Sequence, residues 1–151
     1  LSEVSFDIVQ KEVVLEEIAA VSASARDPEV RGRLQELAAD VETGTVEGER
    51  LGWLEGLLEM SLQTGRARRF HGADGERALL RLFQQTPTGS AARRATEAVN
   101  QALAALEGQE IEGMLFTVQG PGVYRLGLAT DRCRITLEID RHGLSVESLE
   151  V

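Results

Sequence analysis

The chain has 151 residues, 42% of them hydrophobic and only 4% aromatic, and a formal net charge of −9. That length fits one domain, or a small domain with a helical extension, and the apolar content is enough for an aliphatic core. The acidic balance and the scarcity of aromatic stacking platforms argue against general affinity for nucleic acid or for an anionic membrane surface. A single cysteine, Cys133, cannot make an intrachain disulfide, and no signal-peptide pattern opens the chain. No run of about 18 apolar residues is present to span a bilayer. A cytoplasmic protein is expected.

Residues 1–22 are acidic and amphipathic. Val4, Ile8, Leu15, Ile18 and Ser22 lie near one helical stripe, which Val9 and Val13 widen. We read one helix here, although Val4, Phe6 and Ile8 alternate and can open as a strand. Asp27-Pro28 is a strong helix start, with Asp as cap and Pro at the first helical position. Val30, Leu34, Leu37 and Val41 then form a narrow seam suited to helix-against-helix packing, within a chain or between two. Gly44 ends this helix. Residues 46–64 are the strongest helix: Leu51, Leu54, Leu58 and Leu62 repeat at three and four, with Trp53 and Leu57 beside them. Gly52 and Gly56 sit four apart within it. Because glycine costs roughly 1 kcal/mol in a helix interior, the pair predicts a neighbouring backbone passing close.

Gly65 stops that helix. The basic run Arg66-Ala67-Arg68-Arg69-Phe70-His71 follows, then a turn over residues 72–75. Residues 76–84 read as a short helix with Leu79, Leu80, Leu82 and Phe83 inward. Thr86-Pro87 starts another helix, which carries Ala91, Ala95, Val99, Ala102, Leu103 and Leu106 on one face. Gly108 ends it.

From there the period changes from 3.6 to two. Residues 111–118 are rich in strand formers, and Gln119-Gly120-Pro121-Gly122 breaks them. Residues 123–129 alternate, with Tyr124, Leu126 and Leu128 on one face. Residues 132–139 set Cys133, Ile135, Leu137 and Ile139 against Arg132, Arg134, Thr136 and Glu138. Asp140-Arg141-His142-Gly143 turns the chain into a last strand over residues 144–151. This is an antiparallel meander with one buried face, and such a sheet needs a cover that only the preceding helices can supply. Arg125, Arg134, Thr136, Glu138 and Glu147 fall on its other, polar face, where opposite charges can pair across strands. The fold class is α+β: about five helices followed by a four-stranded antiparallel meander packed on the last helices. We expect a single domain over 1–151, with 1–45 a helical hairpin able to extend into an oligomer contact, 46–108 a helical layer and 109–151 the meander.

Motifs for catalysis are scarce. There is no Cys-x-x-Cys, no His-Glu-x-x-His, no phosphate-binding glycine loop and no Gly-x-Ser-x-Gly elbow. His71 and His142 are far apart in sequence, each beside a glycine turn. Cys133 belongs with the apolar face and reads as a small core residue. Glu12 and Glu16, Glu36 and Asp40, and Glu55 and Glu59 have the spacing of chelating carboxylates, but in so acidic a chain solvated helix faces account for them. No metal and no cofactor is expected.

One feature stands out from this background. Residues 66–94 hold seven arginines (Arg66, Arg68, Arg69, Arg77, Arg81, Arg93 and Arg94) against Asp74 and Glu76, a surplus of five positive charges in an acidic chain. Arginine grips carboxylate and phosphate alike through paired hydrogen bonds. The block can neutralise the acidic N-terminal helices or take an outside anion. Two functions from different classes follow. The first is a non-catalytic interaction or scaffold protein that self-associates, as a dimer, through its N-terminal helices. The second is a protein for a small anionic ligand or nucleotide, extending to a hydrolase, with Arg66, Arg68, Arg69, His71, Arg77 and Arg81 lining the site. An acidic protein or a phosphate-bearing partner suits the block; nucleic acid and membrane do not.

Overall fold

The computed structural model describes residues 2–151; Leu1, which the first expected helix included, lies outside the described residues. Five helices precede a four-stranded antiparallel sheet, and a two-stranded ribbon joins the early helices, so the fold is α+β. The chain divides into two compact units, one ending at Ser90 and one spanning Ala91–Val151.

In the first unit, β1 (Glu3–Ser5) pairs antiparallel with β2 (Thr45–Glu47), with Val4 opposite Val46 and both fully buried. The alternation at Val4 and Phe6 therefore opens as a strand. Helix α1 (Ile8–Ser24) starts only where Asp7 and Gln10 close a capping box: the Gln10 amide donates to Asp7 Oδ1 at 2.7 Å, and the Asp7 amide donates to Gln10 Oε1 at 3.0 Å. Its buried face is Gln10, Val13, Val14, Glu17 and Ile18, while Ile8 and Val9 are exposed. The expected apolar stripe was displaced because two polar residues occupy the inward face.

Helix α2 (Pro28–Thr43) begins under the Asp27 cap and ends at Gly44, whose φ of 104° is left-handed. Of its expected seam, Leu34, Leu37 and Val41 enter the first unit's own core, while Val30, in the first turn, is exposed. Helix α3 (Glu49–Gln63) starts three residues later than its leucine periodicity suggests, since β2 and Gly48 (φ 63°) come first. Leu51, Leu54, Leu57 and Leu58 are buried as expected. Gly52 and Gly56 are exposed, and a Cβ added at either would meet nothing within 4 Å. The backbone expected to pass beside them is not there.

The basic run is helical. Helix α4 (Arg66–Phe83) follows Gly65 (φ 74°) and is kinked at Gly72, where φ is 71° and ψ −175°. Arginine and alanine are good helix formers, so residues 66–71 continue as helix up to that glycine. Leu79 and Leu82 are fully buried; Leu80, expected inward, is exposed. Helix α5 (Pro87–Ala104) opens at Thr86, which is buried: its hydroxyl donates to the Phe83 carbonyl at 2.6 Å and accepts from the Gly89 amide at 3.2 Å.

In the second unit, β3 (Gly113–Gly120), β4 (Val123–Ala129), β5 (Arg134–Asp140) and β6 (Gly143–Glu150) lie side by side in chain order. Gly122 (φ 73°) turns β3 into β4. Thr130 organises the next turn, its hydroxyl accepting from the Cys133 amide at 2.9 Å. The second half of α5 covers the sheet: Val99 and Ala102 pack with Cys133, Ile135 and Leu137, flanked by Leu103, Leu106, Leu126, Leu144 and Val146. On the opposite face Arg125 reaches Glu147 at 2.7 Å and Glu138 at 3.5 Å, the expected cross-strand charge pairing.

Candidate functional site

The arginine block draws its order from one buried carboxylate. Glu17, on the inward face of α1, is 1% exposed. Arg66 reaches it from the start of α4 with Nε at 3.3 Å and Nη2 at 3.2 Å, and His71 Nε2 lies 2.7 Å from Glu17 Oε1. The other ring nitrogen of His71, Nδ1, faces Glu16 at 3.2 Å. Burial pushes the Glu17 carboxyl up, but hydrogen bonds from Arg66 and His71, with the nearby Ser61 hydroxyl and the Arg66 charge, outweigh it and hold the group below the usual glutamate value. Ser61 Oγ is buried beside this cluster and makes no hydrogen bond of normal geometry. Gly75 makes room for this arrangement: a Cβ there would stand 2.3 Å from His71 Cβ.

This constellation has the residue types of a hydrolytic site and the wrong connectivity. A general-base histidine needs one nitrogen free to take a proton from a nucleophile. Here both nitrogens face carboxylates, and the nearby serine faces neither ring nitrogen within hydrogen-bond reach. The cluster ties α1 to α4.

The six residues expected to line an anion site are not gathered in one place. Arg66 and His71 meet at Glu17. Arg66 and Arg69 stack over Phe70, with their guanidinium carbons 4.6 and 5.4 Å from the ring centroid. Arg68 is exposed. Arg77 pairs with Asp74 at 3.4 Å, and Arg77 and Arg81 line a shallow hollow of about 210 Å³ with Asp7, Val9, Asp74 and Ala78. Of the paired carboxylates, Glu36 and Asp40 flank Arg50, at 3.6 and 2.8 Å, and Glu55 accepts from the Thr88 amide and hydroxyl. Among the described residues, no group of three or more His, Cys, Asp and Glu side chains is placed to hold a metal ion.

The surface that stands open is on the sheet. Met114↔Leu128, Phe116↔Leu126 and Val118↔Tyr124 are cross-strand pairs, and the same face continues through Ile135 and Leu137. An α-helix is about 10 Å across, whereas four strands at about 4.8 Å spacing span nearly twice that. One helix therefore covers about half the face, and α5 lies over the β5–β6 side. On β3, Met114, Phe116 and Val118 are left between 56% and 69% exposed, with Tyr124 at 38% and its ring 5.9 Å from that of Phe116. β3 is also an outer strand, and no residue from Gly113 to Gly120 is charged or proline. The other outer strand, β6, carries Glu147 and Glu150, charges that protect a sheet edge; each outer strand also has one register irregularity, β3 between Val118 and Gly120 and β6 opposite Thr136 and Leu137.

No helix among the described residues is long and apolar enough to cross a membrane. Comparison with known proteins finds no matching family model, no similar curated protein and no similar solved structure.

Proposed function

We propose that this chain is a non-catalytic interaction protein that binds through the bare half of its sheet. The observation that carries the proposal is the uncharged apolar strip of Met114, Phe116 and Val118 on an outer strand that has neither charge nor proline. Contiguous exposed apolar area of this kind marks an interaction surface more often than an isolated exposed side chain does. Self-association through the N-terminal helices has less support, because Leu34, Leu37 and Val41 are taken up by the first unit's core. A small-anion site has less support too, because Arg66 and His71 are engaged by Glu16 and Glu17.

The proposal is tested by NMR with a soluble paramagnetic probe, on the full chain at a dilution where it is a single copy. The Met114 methyl and the Val118 methyls should broaden strongly, while those of Leu137 should not. Equal shielding of all three would mean that the strip is covered within the chain, and the interaction reading would fall.

A further inference from the structure

Building on that reading, we infer that the occupant of the bare half-sheet is a second copy of this chain, packed face to face about a two-fold axis. Three observations lead there. The strip formed by Met114, Phe116, Val118 and Tyr124 carries no charge, although the chain carries −9. Two copies of an acidic molecule repel, and an uncharged strip is where they approach at least cost; a cationic partner would be drawn to the acidic surfaces instead. The second observation is layer thickness. Stacked sheets lie about 10 Å apart, and a helix on a sheet occupies a layer of about the same depth. If two bare half-faces meet, each α5 falls in the layer of its partner's sheet, alongside the partner's open β3 edge. A sheet half-covered by one helix thus has the shape its own copy completes, and both the bare face and the uncharged β3 edge acquire neighbours. A closed two-fold contact of this type uses the same patch on both copies and does not propagate.

The third observation is area. At roughly 180 Å² for a large side chain, the exposed fractions of Met114, Phe116, Val118 and Tyr124 offer about 400 Å² per copy. The pair then buries at most about 800 Å² from these side chains, the size of a weak, dissociable contact and below the roughly 1,000 Å² of a stable one. A concentration-dependent dimer is therefore the expected form.

Light scattering coupled to size exclusion, on the full chain across a concentration series, reads the result directly. The wild type should pass from the single-chain mass to twice that mass as concentration rises. Phe116→Lys should shift the midpoint at least tenfold towards higher concentration, and Met114→Glu, a second exposed position, should do the same. Leu115→Lys, on the opposite face of the same strand, should leave the midpoint unchanged. Circular dichroism of all three variants checks that they fold. A wild type of single-chain mass at every concentration overturns the second copy. If Met114 and Val118 are still open to the paramagnetic probe in that case, the interaction reading stands with another partner; if they are shielded, both fall. A midpoint moved by Leu115→Lys, or unmoved by both Phe116→Lys and Met114→Glu, overturns the face-to-face arrangement.

Discussion

Glu17 is kept charged where water barely reaches it. Its two oxygens are held by Arg66 and His71, so removing the carboxylate leaves a buried imidazole and a half-buried guanidinium without their acceptor. Hydrogen bonds to charged groups contribute about 1.5–3 kcal/mol each, and breaking a buried ion pair from one side costs more than its net worth. Glu17→Ala should therefore lower unfolding stability by about 3 kcal/mol, read from the urea midpoint. The pH dependence has a defined sign. The folded-state pKa of Glu17 lies below the ordinary 4.5, so its contribution is complete above that value and is lost as pH falls through the folded-state value. The stability gap between wild type and Glu17→Gln should be largest near neutrality and should shrink progressively in acid below pH 4.5. A gap that widened in acid would contradict the assignment. Little of this cluster was legible in advance. A glutamate facing into the core becomes intelligible only when the guanidinium that meets it, 49 positions along the chain, is placed beside it.

At the scale of the element, α3 and the sheet show where local pattern is a sound guide and where it is not. The leucine repeat of α3 and the period-two alternation of β4 and β5 record burial on one face, and they appear in the structure as read. Gly52 and Gly56 record nothing of the kind: both face open space with ordinary helical backbone. Replacing an exposed helical glycine by alanine narrows the unfolded ensemble and removes nothing from the folded one. Gly52→Ala and Gly56→Ala should each raise stability by about 0.5–1 kcal/mol, seen as a higher urea midpoint with unchanged slope. A loss at either position would mean that a partner's backbone comes close there. Of the short ribbon, the sequence hints only at β1, through the alternation from Val4; β2 escaped it because a three-residue strand is too brief to display a period and Val46 fits a helix pattern as well as a strand. The bare half of the sheet escaped it for another reason. Met114, Phe116 and Val118 alternate just as Ile135 and Leu137 do, and only the width of a single helix decides which of them is covered.

For the whole molecule, each unit has an apolar centre of its own. The first gathers α1 to α4 and the ribbon around Leu37, Leu54, Leu58, Leu79 and Leu82; the second sets α5 against β5 and its neighbours. Part of the basic block is met by pairing, between elements where Arg66 reaches Glu17 and along them where Arg77 meets Asp74 and Arg93 meets Glu97. Exposed pairs of the latter kind add little, so added salt should have a modest effect on folding.

Cys133 gives the second unit a built-in chemical reporter. It is the only thiol in the chain, 5% exposed, between Ile135 and the helix that roofs the sheet. An alkylating reagent can reach it only when that roof lifts or the Thr130 turn opens, so the labelling rate measures how often the sheet breathes. Thr130→Val removes the hydroxyl that accepts from the Cys133 amide. The same hydroxyl accepts from the Arg132 amide and donates to Gln109 and the Cys133 carbonyl, so that variant should react several-fold faster than wild type under native conditions, by mass spectrometry of the alkylated chain, at a cost of at least about 1 kcal/mol.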